Sequence, residues 1–301
     1  MGRVPFAALL AWGLLSPSVF AQGSAGSVTP EEFEAKLGYQ TGTVTIGSGI
    51  ATIAVPPSFR FIGPEGSRRL LTQAWGNPPE SADGVLGMLI PAEASPLSKQ
   101  GWGIAITYDE DGYVDDSDAA SINYAKLLKQ MQEATAESNE ERTKRGFPAI
   151  TVVGWAEPPT YDRAAHKMYW ARDLMFGSAG EHTLNYSIRI LGRRGVLVLN
   201  AIAAMPQLPA VRSETQNVLA AVNFSDGHRY TDYLPGKDKA ATYGVAGLVI
   251  GATAAKAGLF KALWIGLLAF KKVLVAGVIA LFGAIRSFFR KRSGETVEPA
   301  A

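Results

Sequence analysis

Residues 183–203 read TLNYSIRIL-GRRG-VLVLNAIA. Leu184, Tyr186, Ile188 and Ile190 fall on every second position, the period of a strand with one face on a core. Val196–Ala203 is a second apolar run, and Gly192-Arg193-Arg194-Gly195 between them has the composition of a tight turn. Two further strand-like runs, Ile150–Trp155 and Lys167–Met175, precede this hairpin. Consecutive strands joined by short turns predict an antiparallel sheet.

Working outward, Leu208–Val222 reads as a closing helix, with Asn223-Phe224 ending the fold. A long helix is expected from Asp118 to about Arg145, with apolar residues at Ile122, Leu127, Leu128 and Met131. Its charge after Gln132 marks an exposed second half. Toward the N-terminus, Thr43–Ile46 and Gly49–Val55 flank Gly47-Ser48-Gly49 as a hairpin. Phe59–Ile62 is extended, Ser67–Trp75 is a short helix, and Val85–Ile90 and Trp102–Tyr108 are strands. Helices interleaved with antiparallel strands predict an α+β domain, an antiparallel sheet packed by helices.

The two ends differ from this domain. Residues 1–21 follow the grammar of a secretory signal: Arg3, an apolar run from Val4 to Leu15, a break at Ser16-Pro17, and Val19-Phe20-Ala21 before cleavage. Residues 22–236 are then the exported domain and 237–242 a linker. Residues 243–289 form an apolar, glycine-rich membrane anchor region, and 290–301 a short basic then polar tail beginning Arg290-Lys291-Arg292. A lysine at mid-bilayer costs roughly 2.5–3.5 kcal/mol, so Lys271-Lys272 divides the anchor. Either Val273–Phe289 is a single span behind an interfacial segment, or two spans hairpin at that pair, the first being Gly244–Leu268. Gly244, Gly247, Gly251 and Ala255 lie at small-residue spacing suited to close helix packing in lipid.

Composition removes several function classes. There is no cysteine, so disulfide scaffolds, thiol catalysis and cysteine-ligated metal are excluded. Residues 237–301 carry ten basic and three acidic side chains, whereas the whole chain is only +2. Residues 1–236 are therefore net acidic, at −5, which argues against nucleic acid as a partner.

The strongest local chemistry is the acidic run. Thr107, Asp109, Asp111, Gly112, Asp115 and Asp118 occupy the first, third, fifth, sixth, ninth and twelfth positions of a calcium loop. Asp109, Asp111, Asp115 and Asp118 are thus candidate calcium ligands. Threonine at the first position, aspartate at the twelfth and a preceding strand depart from that pattern. The structural alternative is a solvated loop whose Asp115–Asp118 cap the following helix. Otherwise no cofactor is predicted. His166, His182 and His228 show no metal spacing, though His166 and His182 flank neighbouring strands. No Gly-x-Ser-x-Gly elbow and no phosphate-cradling loop is present. Trp75-Gly76-Asn77-Pro78-Pro79 and Trp155-Ala156-Glu157-Pro158-Pro159 share a Trp-x-x-Pro-Pro pattern. Trp75 and Trp155 are candidate binding residues for a peptide or glycan, or else structural corners packed under proline. Trp102 and Trp170 read as core.

Several strings together are specific: Tyr39-Gln40-Thr41-Gly42-Thr43-Val44, Ala74–Pro79, Ile106–Val114, Val153–Pro159 and Leu191–Leu197. They resemble a bacterial family of membrane-anchored proteins known as domain of unknown function 2167, from about residue 28 to the tail. The family assigns no catalytic residue. At fold level, the hairpin, the Val55-Pro56-Pro57-Ser58-Phe59 entry, the long helix, the strands and the last helix are similar to the PsbP-like α/β/α sandwich. The resulting expectation is a protein of the bacterial inner membrane with its main domain in the periplasm. It would act as a binding or scaffolding module, with the lipid bilayer and an envelope protein or glycan as partners. The alternative is an envelope enzyme, such as a hydrolase, with an unrecognised site.

Overall fold

A computed structural model describes residues 29–177 and 182–250. The expected signal peptide and the anchor beyond Ile250 lie outside the described residues. Among those described, no helix is long and apolar enough to cross a membrane.

The hairpin of residues 183–203 forms as read. β9 (His182–Leu191) and β10 (Val196–Ala204) pair from Thr183↔Ala204 to Leu191↔Val196. They sit inside an eight-stranded antiparallel sheet. Its other members are β1 (Tyr39–Gln40), β4 (Phe59–Ile62), β5 (Val85–Pro91), β6 (Gly103–Asp109), β7 (Ile150–Asp162) and β8 (Lys167–Phe176). The order is β1-β4-β5-β6-β10-β9-β8-β7. A smaller sheet joins β2 (Thr43–Ile46), β3 (Ala51–Ala54) and β11 (Val222–Phe224) in the order β11-β3-β2. Asn223-Phe224, expected only to end the fold, therefore pairs with the N-terminal hairpin.

Three layers result. Val44, Ile46, Ala51 and Ile53 of the small sheet, with Val211, Val218 and Leu219 of a helix over Leu208–Ala221, close one face of the large sheet. They meet Leu184, Tyr186, Ile188 and Ile190 of β9 and Leu197 and Leu199 of β10. In chain order the helices are α1 (Pro30–Ala35), α2 (Pro64–Arg69), α3 (Tyr124–Lys144), α4 (Leu208–Ala221) and α5 (Val245–Ile250). On the opposite face α2 and the π-helical turn Leu70–Ala74 cover β4 and β5, while α3 lies against β7 and α5 against α3.

Two elements depart from the sequence reading. α3 begins at Tyr124, not Asp118, because Asn123 is its cap and accepts the Lys126 amide at 2.9 Å. Residues 119–121 form only a 3-10 turn. β7 continues through Trp155–Pro159 to Asp162 where a corner was expected. Its register shifts three times between Val152 and Thr160. It is an edge strand, so the two prolines forfeit no ladder bond on their open side.

Candidate functional site

The loop after β6 is where the sequence concentrates charge, and the structure fills it with the chain that follows the small sheet. The Gly112 amide donates to Arg194 O at 3.0 Å, which ties the loop to the 192–195 turn. The Tyr113 amide donates to Lys239 O at 2.9 Å, and the Ala241 amide donates back to Tyr113 O at 2.7 Å. Residues 239–241 thus lie as a short parallel bridge on the loop. Gly112 has φ +112, and a Cβ there would meet Lys239 O at 2.6 Å. The glycine at the sixth position of the calcium-like spacing is required by this close approach of backbone.

The carboxylates go to separate partners. Asp118 accepts the amides of Val245 at 2.9 Å and Ala246 at 3.1 Å, so it caps α5, not the helix next to it. Gly244 lies against that carboxylate, 2.6 Å from where its Cβ would be. Asp111 accepts the Tyr243 hydroxyl at 2.7 Å. Asp116 accepts the Tyr161 hydroxyl at 2.7 Å. Asp115 closes a local turn on the Ser117 amide at 2.8 Å, and the Ser117 hydroxyl, followed by this amide, holds its carboxyl below the ordinary range. Among the described residues no three carboxylates or histidines converge as a metal would need. Asp109 and Asp111 have further partners of their own.

Above the loop, four rings stack in the order Tyr233, Tyr113, Tyr230, His166, with successive centroids 3.8, 4.5 and 4.0 Å apart. The buried Tyr230 donates its hydroxyl to Val114 O at 3.0 Å. Arg193 of the turn holds Asp238 with two hydrogen bonds, of 2.7 and 3.1 Å. The Asp238 side chain is only 7% exposed. The Arg193 hydrogen bond pulls its carboxyl below the usual value, and the Leu234 amide adds to this. Residues 230–243, expected to hold the linker, are thereby built into the domain. The same holds for the first turn of the expected anchor, where Val245, Leu248 and Val249 are buried. Gly247, which reads as part of a lipid-packing face, sits on the Tyr243 ring.

Of the remaining candidates, Trp75, Trp155 and His182 do not join this cluster. Trp75 packs in the core under β4 and β5, and its indole N–H donates to Pro96 O at 2.9 Å. Trp155 lies on edge strand β7 and donates to Tyr124 O at 3.3 Å. The sheet order separates the two tryptophans. His166 and His182 stand at opposite ends of the β8–β9 hairpin: Leu191 donates to His166 O, whereas His182 is paired with Met175. His182 instead pairs with Asp173 at 2.7 Å. The tyrosine stack and the Arg193–Asp238 pair escaped sequence reading because their members are scattered; the sole hint was the tyrosine density of residues 230–243.

Comparison with known proteins adds the following. No curated protein matches the chain. The cyanobacterial PsbP (CyanoP) of Synechocystis is similar in structure, with 10% identity, 67% of this chain and 98% of that chain covered, and a TM-score of 0.34. LpqN of Mycobacterium tuberculosis, described as involved in cell envelope biogenesis, has 14% identity, coverage of 67% and 99%, and a TM-score of 0.30. The Ran-binding protein Mog1p of Saccharomyces cerevisiae has 12% identity, coverage of 62% and 95%, and a TM-score of 0.32. A family model described as protein of unknown function (DUF2167) matches residues 38–282. That match spans the whole sheet and the segment docked on the acidic loop, and the chain belongs to the DUF2167 family.

Proposed function

We propose that the chain is a membrane-tethered, periplasm-facing envelope protein whose α+β domain binds or scaffolds another envelope component. The observation that carries this reading is the docking of residues 238–250 on the acidic loop. The folded domain runs without a spacer into the sequence that continues, apolar and glycine-rich, to Phe289. Asp111 and Asp118 of the loop are spent on holding that segment, which is an architectural use of charge.

With α5 taken up by the domain, the span we favour is Val273–Phe289, followed by Arg290–Arg292 on the cytoplasmic side in keeping with the positive-inside rule. Two experiments test the proposal. A reporter fused after Ala301 is expected to be active in the cytoplasm; full release of the chain by alkaline carbonate overturns the tether. Mild crosslinking followed by pull-down of the full chain is expected to recover a stoichiometric envelope partner. Absence of any partner, together with turnover of an envelope substrate that Asp111→Ala abolishes, replaces the scaffold with an enzyme.

A further inference from the structure

The second face of β8, β9 and β10 holds polar groups that alternation would aim at water, yet Thr183, Asn185 and Ser187 are 5%, 3% and 0% exposed. Trp170 and Arg172 lie two apart on β8 and share this face; Arg172 is opposite Asn185, Trp170 opposite Ser187, and Arg189 opposite Met168. The amide oxygens of Asn185 and Asn200 are already engaged. Arg172 donates to Asn185 Oδ1. The Ser187 hydroxyl lies 3.0 Å from Asn200 Oδ1 and 3.3 Å from Asn185 Oδ1. Arg189 donates to Ile188 O at 2.9 Å and Asn200 Oδ1 at 3.3 Å, with its guanidinium 4.9 Å from the centre of the Trp170 ring.

Donors are left over. Trp170 is 1% exposed, and its indole N–H has no acceptor among the described residues. The buried Arg172 Nε–H has none either. Burial, and then repulsion by Arg189, pushes the Arg172 guanidinium down to about 9, with no carboxylate of the described residues acting on it; burial brings Arg189 to about 10, whereas Asp109 and then Tyr243 favour its charged form. Leaving buried donors and like charges uncompensated is costly, and arginine holds planar or tetrahedral oxyanions well. Arg172, Arg189 and Asn200 keep partial solvent exposure, so a solute has a way in.

We propose that this face is a binding site for an oxyanion, a phosphate or carboxylate group, gripped by Arg172 and the Trp170 indole N–H with Arg189 supplying the second charge. The proposal does not depend on membrane attachment. The same group can arrive as a free anion or as the headgroup of an anionic lipid, and the test separates these sources.

The full chain in an uncharged detergent is titrated with inorganic phosphate, then with acetate, against chloride at equal ionic strength, reading the thermal midpoint and tryptophan fluorescence. It is also reconstituted in bilayers of phosphatidylglycerol or of phosphatidylcholine. A saturable rise in midpoint with either small anion supports the site as one for a free anion; a rise confined to phosphatidylglycerol supports the headgroup. In both cases Arg172→Gln and Trp170→Phe are expected to weaken binding at least tenfold. Trp170→Phe keeps an aromatic side chain, smaller than the indole, and removes the N–H, so it serves even if Arg172→Gln fails to fold. No response to any of these anions overturns the proposal, and so does binding that both substitutions leave unchanged.

Discussion

At Asp118 one side chain joins parts of the chain 127 residues apart, accepting the amide of Val245. Replacing a capping carboxylate by alanine costs about 1 kcal/mol. Asp118→Ala is therefore expected to lower the melting temperature and to speed hydrogen exchange at the amides of 245 and 246 more than in β9. Asp238 carries a pH signature. Its carboxyl titrates lower in the folded than in the unfolded chain, so its contribution is present above about pH 4, the unfolded value. It is lost as the pH falls through the depressed folded value, because the unfolded chain then binds more protons. The melting-temperature gap between wild type and Asp238→Asn is expected to shrink between pH 5 and pH 2. Millimolar calcium is expected to leave the melting temperature unchanged, since Asp111, Asp115 and Asp118 already accept hydrogen bonds from Tyr243, Ser117 and α5. The acidic run was visible in the sequence as a place where charge collects. What it holds was not, because spacing within a loop carries no information about a segment more than a hundred residues away.

Among the elements, α3 is joined to β7 through Gln132, which donates to Val152 O, through Trp155, and through two hydrogen bonds of Asn139. Asn139 accepts the Ile150 amide at 2.8 Å and donates to Ile150 O at 2.8 Å. Asn139→Ala removes both bonds and leaves partly buried backbone groups unmatched, at roughly 1–3 kcal/mol. A lower urea midpoint with an unchanged slope is the expected result. β9 was legible because the face it turns to the small sheet and α4 is apolar at every second residue, and β10 because it is a continuous apolar run buried on both faces. β7 was legible only to Trp155, because Pro158-Pro159 ends a strand under most circumstances; at a sheet edge it need not. The first residue of α3 was misread for a related reason. Aspartate and asparagine cap equally well, and which of Asp118 and Asn123 is free to do so depends on α5.

For the whole molecule, the sheet and its two covering layers follow from the sequence pattern, whereas the C-terminal limit of the domain does not. Residues 237–242 look like a linker because they are polar, and the attachment of the surrounding chain rests on tyrosines that meet Tyr113 and His166 only after folding. A chain ending at Gly236 is expected to melt below one ending at Ile250. Losing the burial of Val245, Leu248 and Val249 together with the Asp118 cap removes about 3 kcal/mol or more. For a domain of this size that appears as a drop of roughly 6–12 °C. The docked segment also sets a timetable for biosynthesis. At about 5–20 residues per second, the amide that satisfies Asp118 emerges roughly 6–25 s after Asp118 itself. Until then Asp111 and Asp118 lack the Tyr243 hydroxyl and the α5 amides that they accept in the folded chain, so the acidic loop is the last part of the domain to be completed.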